Sequence, residues 1–286
     1  MTFFQIIYLG ATSLLILLGL PAGASEKPLH VLVDPGHGGT DQGATRGAIK
    51  ESKISLQVST LLQKILENDP RFKVSLTRTS DKFVSLKARV DSIEKNQADI
   101  FLSIHANSSI DRRAKGVEFY FQNQLPADEE TLYLAATENR MEKIEGAEKP
   151  NSLPSDSVKL VSTDAADDEP TKKNDVLAIL EDLKRQTRMS SSLRLSDKML
   201  AAWSKNSPDN QMAENNIIRQ APFYVVAKAS VPSVLVELGF ITNPKEADRL
   251  IDPAYQKIIA ERIYQGLSDY KEMMDKTELG PLKSSP

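Results

Sequence analysis

The stretch Val31-Leu-Val-Asp-Pro-Gly-His-Gly-Gly39 constrains the fold more than any other. Three β-favouring positions run into Asp34-Pro35-Gly36, a turn signature, and the turn presents His37 between glycines. Taken alone, this is equally a tight strand-to-loop turn whose histidine is incidental. A second run, Asp99-Ile-Phe-Leu-Ser-Ile-His105, is almost continuously apolar, the pattern of a strand buried on both faces, and closes on His105-Ala-Asn107. Two of the three histidines, His30, His37 and His105, therefore stand at the downstream ends of apolar strands. In open α/β sheets that edge is where ligands bind.

Between the two strands the period is helical. Ile54, Val58, Leu61, Leu62 and Ile65 share one face of a helix that begins at Glu51. A carboxylate at a helix start is favoured by the helix dipole without any function; a helix beginning beside a strand end would also aim it at His37. Lys73–Thr77 alternates as a strand, and Val84–Asn96 is a second helix with Leu86, Val90 and Ile93 on one side. Gly116–Phe121 is a further strand. Core-like character returns at Phe223–Val226 and at Ser233–Phe240, where Glu237 stands in an apolar run. Glu237 either faces solvent from an edge strand or is a buried carboxylate, which is costly unless it has work to do. Asn243-Pro244 and Asp252-Pro253 open a short helix and a last helix, with Tyr255, Ile258, Ile259, Ile263 and Leu267 facing the sheet.

Residues 122–215 differ from the rest. Residues 128–170 hold twelve Asp or Glu against four Lys or Arg, with three prolines, so the segment 122–215 should be a loop-rich, partly disordered insertion that buries little. Two helical stretches lie within it, Asp128 to about Glu145 and Asn174 to about Ser204. In the second, Val176, Ile179, Leu180 and Leu183 form an apolar face that should dock on the rest of the chain.

The 286 residues suffice for a full core, and the net charge of −3 supplies no basic footprint for nucleic acid. Residues 1–24 read as a secretory signal, with an apolar run ending in Ala22-Gly23-Ala24, although no Lys or Arg precedes it. An uncleaved membrane anchor is the alternative, and either way the bulk of the chain leaves the cytoplasm, as a periplasmic protein. Residues 277–286 read as a frayed tail. Without cysteine, any metal must be held by His, Asp or Glu. His37, Glu51 and His105 form a two-histidine, one-carboxylate set of the kind catalytic zinc uses with one position left open, although their spacing matches no short helical motif. Such an ion lowers the pKa of water toward ~7 and polarises a carbonyl. Glu237, in apolar surroundings, is the candidate proton shuttle.

Four separated motifs carry a resemblance: Val33-Asp-Pro-Gly-His-Gly-Gly39, Glu51 at the next helix start, Leu102-Ser-Ile-His-Ala-Asn107, and Pro232-Ser-Val-Leu-Val-Glu-Leu-Gly-Phe-Ile-Thr-Asn-Pro244. Together they resemble the zinc-dependent N-acetylmuramoyl-L-alanine amidases of bacterial cell-wall metabolism. The resemblance implies a single three-layer α/β domain over residues 25–276, with a mostly parallel central sheet flanked by helices and a helical regulatory insertion at 122–215. It implies one zinc held by His37, Glu51 and His105, Glu237 as catalytic glutamate, and hydrolysis of the bond between N-acetylmuramic acid and L-alanine of the peptidoglycan stem. Arg78 and Arg89 match recurring family positions with structural or substrate-orienting roles.

Gram-negative members that separate daughter cells carry an inhibitory helical segment displaced by a LytM-type activator. Val176–Leu183 with Ser191-Ser192-Leu193 resembles it, and Leu134–Asn139 resembles the place where a glutamate closes the zinc, which makes Glu138 the expected autoinhibitory ligand. Asn107 departs from that group, where an Asp is frequent, and no wall-binding domain separates the signal from the catalytic part. The chain is expected to act as a monomer. Two other readings compete: a zinc peptidase cutting within the stem peptide, and a non-catalytic wall-binding module.

Overall fold

The computed structural model describes residues 27–122, 129–141, 171–205 and 216–277; the expected signal, the acidic stretch and the tail lie largely outside them. A six-stranded sheet runs through the molecule in the order β4-β1-β5-β8-β6-β7. Its strands are β1 (Leu29–Pro35), β4 (Phe72–Leu76), β5 (Ile100–Asn107), β6 (Glu118–Gln122), β7 (Ile217–Ala221) and β8 (Ser233–Phe240). The first four in spatial order are parallel, whereas β6 runs antiparallel to β8 and parallel to β7. The ends of β1, β5 and β8 and the start of β6 therefore share one edge.

Both faces of the sheet are covered, which is why β1, β5 and β8 are buried at every position. On one face Val31, Val33, Leu102, Ile104, Val234 and Val236 pack with helices α1 (Glu51–Glu67) and the last helix. On the other, Leu32, Phe101 and Leu235 pack with Ile93 of α2 (Leu86–Asn96) and with Phe223 and Val226. A two-stranded hairpin, β2 (Thr45–Arg46) with β3 (Ile49–Lys50), leads directly into α1. Lys50 gives α1 no side-chain cap. Instead, the first helical amides donate to the preceding loop, Glu51 N to Ala44 O at 3.0 Å and Ser52 N to Gln42 O at 3.2 Å, so the loop is tied to the helix start.

Between β6 and β7 lie α3 (Glu129–Glu138), continued by one 3₁₀ turn, and α4 (Thr171–Lys205). The expectation of little burial here is corrected: Leu195, Met199, Ala202 and Trp203 are fully buried, and the first two and Trp203 join the main core. Full burial stabilises by roughly 1.5–3 kcal/mol for each such large apolar side chain. The docking face is also corrected. Val176, Ile179, Leu180 and Leu183 are exposed, at 47–59 %, because the apolar stripe turns around the helix between its two halves. Beyond β7 come α5 (Tyr224–Ala227), α6 (Pro244–Leu250), capped by Asn243 with Pro244 in its first turn, and α7 (Pro253–Thr277). On α7, Tyr255, Ile259, Ile263 and Leu267 are buried as expected, whereas Ile258 is 43 % exposed. Among the described residues no helix is long and apolar enough to cross a membrane.

Candidate metal centre

Four side chains converge at the shared edge. One ligand atom from each of His37, Glu51, His105 and Glu138 lies within 4.8 Å of the others. His37 Nε2 is 3.1 Å from both Glu51 Oε1 and Glu138 Oε2, and His105 Nδ1 is 2.9 Å from Glu51 Oε1 and 3.4 Å from Glu138 Oε2. The two imidazoles meet edge to face, 4.9 Å between ring centres.

Local chemistry fixes each donor. His37 adopts the left-handed conformation, φ 58°, at the turn after β1, and such strain persists where surroundings impose it. Arg89 imposes it: Nη1 donates to Asp34 Oδ1 and Pro35 O, both at 2.7 Å, and Nη2 donates to His37 O at 2.8 Å. Arg78, 1 % exposed, donates to the carbonyls of Pro35, Gly36 and Ser52, joining the turn to the start of α1. Burial and the neighbouring Arg89 charge lower Arg78 to about 10. Both arginines thus point into the scaffold beneath the turn. Glycine is needed where the ligands crowd the backbone: a Cβ at Gly36 would overlap the His105 imidazole, and one at Gly43 would overlap Glu51 and the His37 ring. Glu51 also accepts from Ala44 N at 2.8 Å and Ala106 N at 3.0 Å. Although burial opposes its charge, His37 and His105 hold its carboxyl far below the ordinary range.

The arrangement suits a metal ion. His37 Nε2 is buried and lacks a hydrogen-bond partner while two carboxylate oxygens approach it, as expected of a ring nitrogen built to face a cation. Its other nitrogen, Nδ1, is 2.8 Å from Asp41 Oδ2, the outer carboxylate that orients metal-binding imidazoles. Reading the sequence missed Asp41, although a carboxylate four residues after a turn histidine was a usable signal.

Glu237 lies beside this cluster rather than in it. It is the register partner of His105 on β5, and of Glu118 on β6. It is 1 % exposed, and its Oε2 has no hydrogen-bond partner. Burial first, then the carboxylates of Glu51, Glu138 and Glu118, push its pKa well above the ordinary range. Asn107 donates to Glu118 Oε2 at 2.8 Å, and Glu118 also accepts from Tyr120 Oη at 2.7 Å and Arg219 Nε at 3.2 Å. An aspartate in place of Asn107 would set two carboxylates against each other. Glu118 and Arg219 were also missed, since one strand-start carboxylate and one strand arginine carry no motif.

Glu138 comes from the last residue of α3, whose Leu134 and Ala135 are buried on the α2 side of the sheet. Asn139 holds this end: its Nδ2 donates to Pro222 O at 3.0 Å and its Oδ1 accepts from Tyr224 N at 2.8 Å. The cavity left beside His37, His105, Glu138 and Phe223 is about 20 Å³, room for a water and not for a sugar or peptide.

A family model, Amidase_3, described as N-acetylmuramoyl-L-alanine amidase, matches residues 31–269. The chain is 33% identical over 248 residues to N-acetylmuramoyl-L-alanine amidase AmiA of Escherichia coli K12, covering 86% of this chain and 77% of that one. To AmiC of Escherichia coli O6:H1 it is 29% identical over 247 residues, spanning 86% of this chain and only 53% of AmiC. Among solved structures, an N-acetylmuramoyl-L-alanine amidase from Clostridium difficile 630 shares the fold with a TM-score of 0.58 and 22% identity, covering 86% of this chain and 97% of that one. On the matched span and these identities, the chain belongs to the N-acetylmuramoyl-L-alanine amidase family.

Proposed function

We propose that this chain hydrolyses the amide between N-acetylmuramic acid and L-alanine of the peptidoglycan stem, using one zinc ion, and that it is autoinhibited. The observation that carries the reading is the convergence of His37, Glu51 and His105 beside the buried carboxyl of Glu237. These three residues would hold the metal, and two imidazoles with one carboxylate favour zinc. When bound, zinc supplies Lewis acidity to the substrate carbonyl and to water.

The chain's own groups would do the rest. Asp41 keeps the His37 proton on Nδ1, so that Nε2 stays available. Glu237 takes a proton from water on one side of the reaction and passes it to the nitrogen of the leaving L-alanine. Arg78 and Arg89 are positioning residues that hold the His37 turn. Glu138, projecting into the same centre, occupies the place a reacting water needs, and the small cavity beside it supports a closed state.

We place the catalytic unit at residues 25–276, with 122–215 as its regulatory insertion. The exposed Val176, Leu177, Ile179, Leu180 and Leu183 of α4 offer an apolar face for a LytM-type activator. The setting is periplasmic, after export through residues 1–24, with a monomeric enzyme acting in wall remodelling and daughter-cell separation. Turbidity loss of purified sacculi tests the reaction. Hydrolysis that requires zinc and stops on chelation is expected, and hydrolysis indifferent to metal would count against it.

A further inference from the structure

Glu237 stands where the sheet stops being regular. β6 and β8 pair only as far as Glu118 and Glu237. On the other side the β5–β8 register slips directly after His105 and Glu237: Leu238 and Gly239 of β8 together face Ala106, and pairing resumes at Asn107 and Phe240. Bulges beside active sites re-aim a side chain. Gly239 adopts φ 143° there, a conformation open to glycine without strain. Beyond Glu237 the end of β8 is therefore held by something other than its ladder with β6.

Glu246, in the first turn of α6, holds it. Its Oε2 accepts from Phe240 N at 2.7 Å, just past the bulge, and its Oε1 accepts from Gly116 N at 2.9 Å, just before β6. The carboxylate is wedged between the two strands at the level where their pairing ends. Glycine makes room for it, since a Cβ at Gly239 would come within 3.2 Å of Glu246 Oε2. An acidic residue at this position of a helix ordinarily reaches back to the amide of the capping residue. Here Asn243 N donates to Phe240 O at 3.1 Å instead, and Asn243 Oδ1 caps α6 by accepting from Lys245 N at 3.0 Å. Three more bonds tie the same segment to the β5–β6 connection: Ile241 N donates to Asn107 O at 2.8 Å, Ser109 N to Thr242 Oγ1 at 3.1 Å, and Asn243 Nδ2 to Ala114 O at 3.0 Å. The strand ends that carry His105 and Glu237 are thereby joined to the start of β6, and Glu246 is the charged member of the set. Amide bonds to a carboxylate are among the stronger ones.

We infer that Glu246 is a positioning residue for Glu237, fixing the bulge from which that side chain projects beside the metal centre. The inference rests on the proton-transfer role proposed above for Glu237, whereas the brace itself is a matter of geometry.

Glu246→Gln and Glu246→Ala test it against Gln256→Ala, all as zinc-loaded full chains that also carry Glu138→Ala to open the centre. Gln256 donates to Leu250 O at 2.8 Å and to Gln57 Oε1 at 3.1 Å, so its loss removes two hydrogen bonds at the far end of α6. Misplacing a catalytic group by about 1 Å costs about 10²-fold. On a soluble muramyl peptide, Glu246→Ala should lower kcat by about that factor, and Glu246→Gln, which keeps one acceptor oxygen, by about tenfold. KM and zinc content should hold. Gln256→Ala should lose thermal stability and keep kcat. Crystal structures give a second readout, in which the Glu237 carboxylate moves while His37, Glu51 and His105 keep their places. The nearly isosteric Glu246→Gln carries both readouts if Glu246→Ala does not fold. A kcat loss no greater than that of Gln256→Ala, or a Glu237 carboxylate unmoved in the variants that fold, would overturn the inference. A parent chain that cleaves no muramyl peptide would overturn the amidase reading instead, and the displacement of Glu237 would still decide the brace.

Discussion

Glu138 Oε2 stands 3.1 Å from His37 Nε2, although the two residues come from unlike parts of the fold. His37 is locked into the sheet edge by Arg89, whereas Glu138 ends a short helix inserted between β6 and β7. The carboxylate proposed to block the centre therefore belongs to an element separate from those that carry His37, Glu51 and His105. Glu138→Ala should raise sacculus hydrolysis about tenfold or more, since a tenfold change needs only ~1.4 kcal/mol. Zinc content should stay at one ion per chain. Release of dye from labelled sacculi measures this, and an unchanged rate would argue against autoinhibition through Glu138.

Asn139 fastens the same end of α3 through two hydrogen bonds, to Pro222 O and from Tyr224 N. Each contributes about 1 kcal/mol, so Asn139→Ala should shift the closed helix toward an open state by up to roughly thirtyfold. Basal hydrolysis should rise, and amide exchange in α3 should quicken while β1 and β5 stay protected. Faster exchange without a gain in activity would separate the latch from inhibition.

Glu237→Gln keeps the shape of the side chain and removes its proton chemistry. The expected result is full zinc binding with hydrolysis reduced by roughly 10²–10⁴-fold, the usual worth of a general acid–base. Metal analysis on the same preparation decides the role: loss of zinc would mark Glu237 as a ligand.

The metal-free centre should be sensitive to pH in a particular sense. Burial opposes charge on His37, but Glu51, Glu138 and Asp41 outweigh it and raise its pKa well above 6.5. Its imidazolium therefore stabilises the metal-free chain fully below the unfolded value of about 6.5, and that contribution is lost as pH rises through the folded value. Zinc needs the neutral ring, so zinc affinity should climb with pH across the same window and level off above it. Competition with a chelator from about pH 6 to 9 should show about one proton released per ion at the lower end. A flat profile would mean that His37 is already neutral.

Much of this candidate site is legible in the sequence, because strand ends that close on histidine, and a helix that opens on Glu51, are local patterns. The fate of α4 is not. Val176, Ile179, Leu180 and Leu183 have helical spacing as good as any core helix, yet they are exposed, and Leu195, Met199 and Trp203 are buried instead. Twelve residues separate Leu183 from Leu195, about 120° beyond whole turns, so the two stripes lie on different faces. Periodicity reveals a face but not which of two faces meets the sheet. The Glu118–Arg219 pair was hidden for a related reason. It spans 101 positions, and only the pairing of β6 with β7 brings the two together.

Mass spectrometry of the products released from purified sacculi by the zinc-loaded Glu138→Ala chain tests the central claim most directly. Intact stem peptides beginning with a free L-alanine amine, together with glycan strands stripped of peptide, are the predicted products. Fragments cut between amino acids of the stem, or sacculi left whole by a chain that holds its zinc, would contradict it.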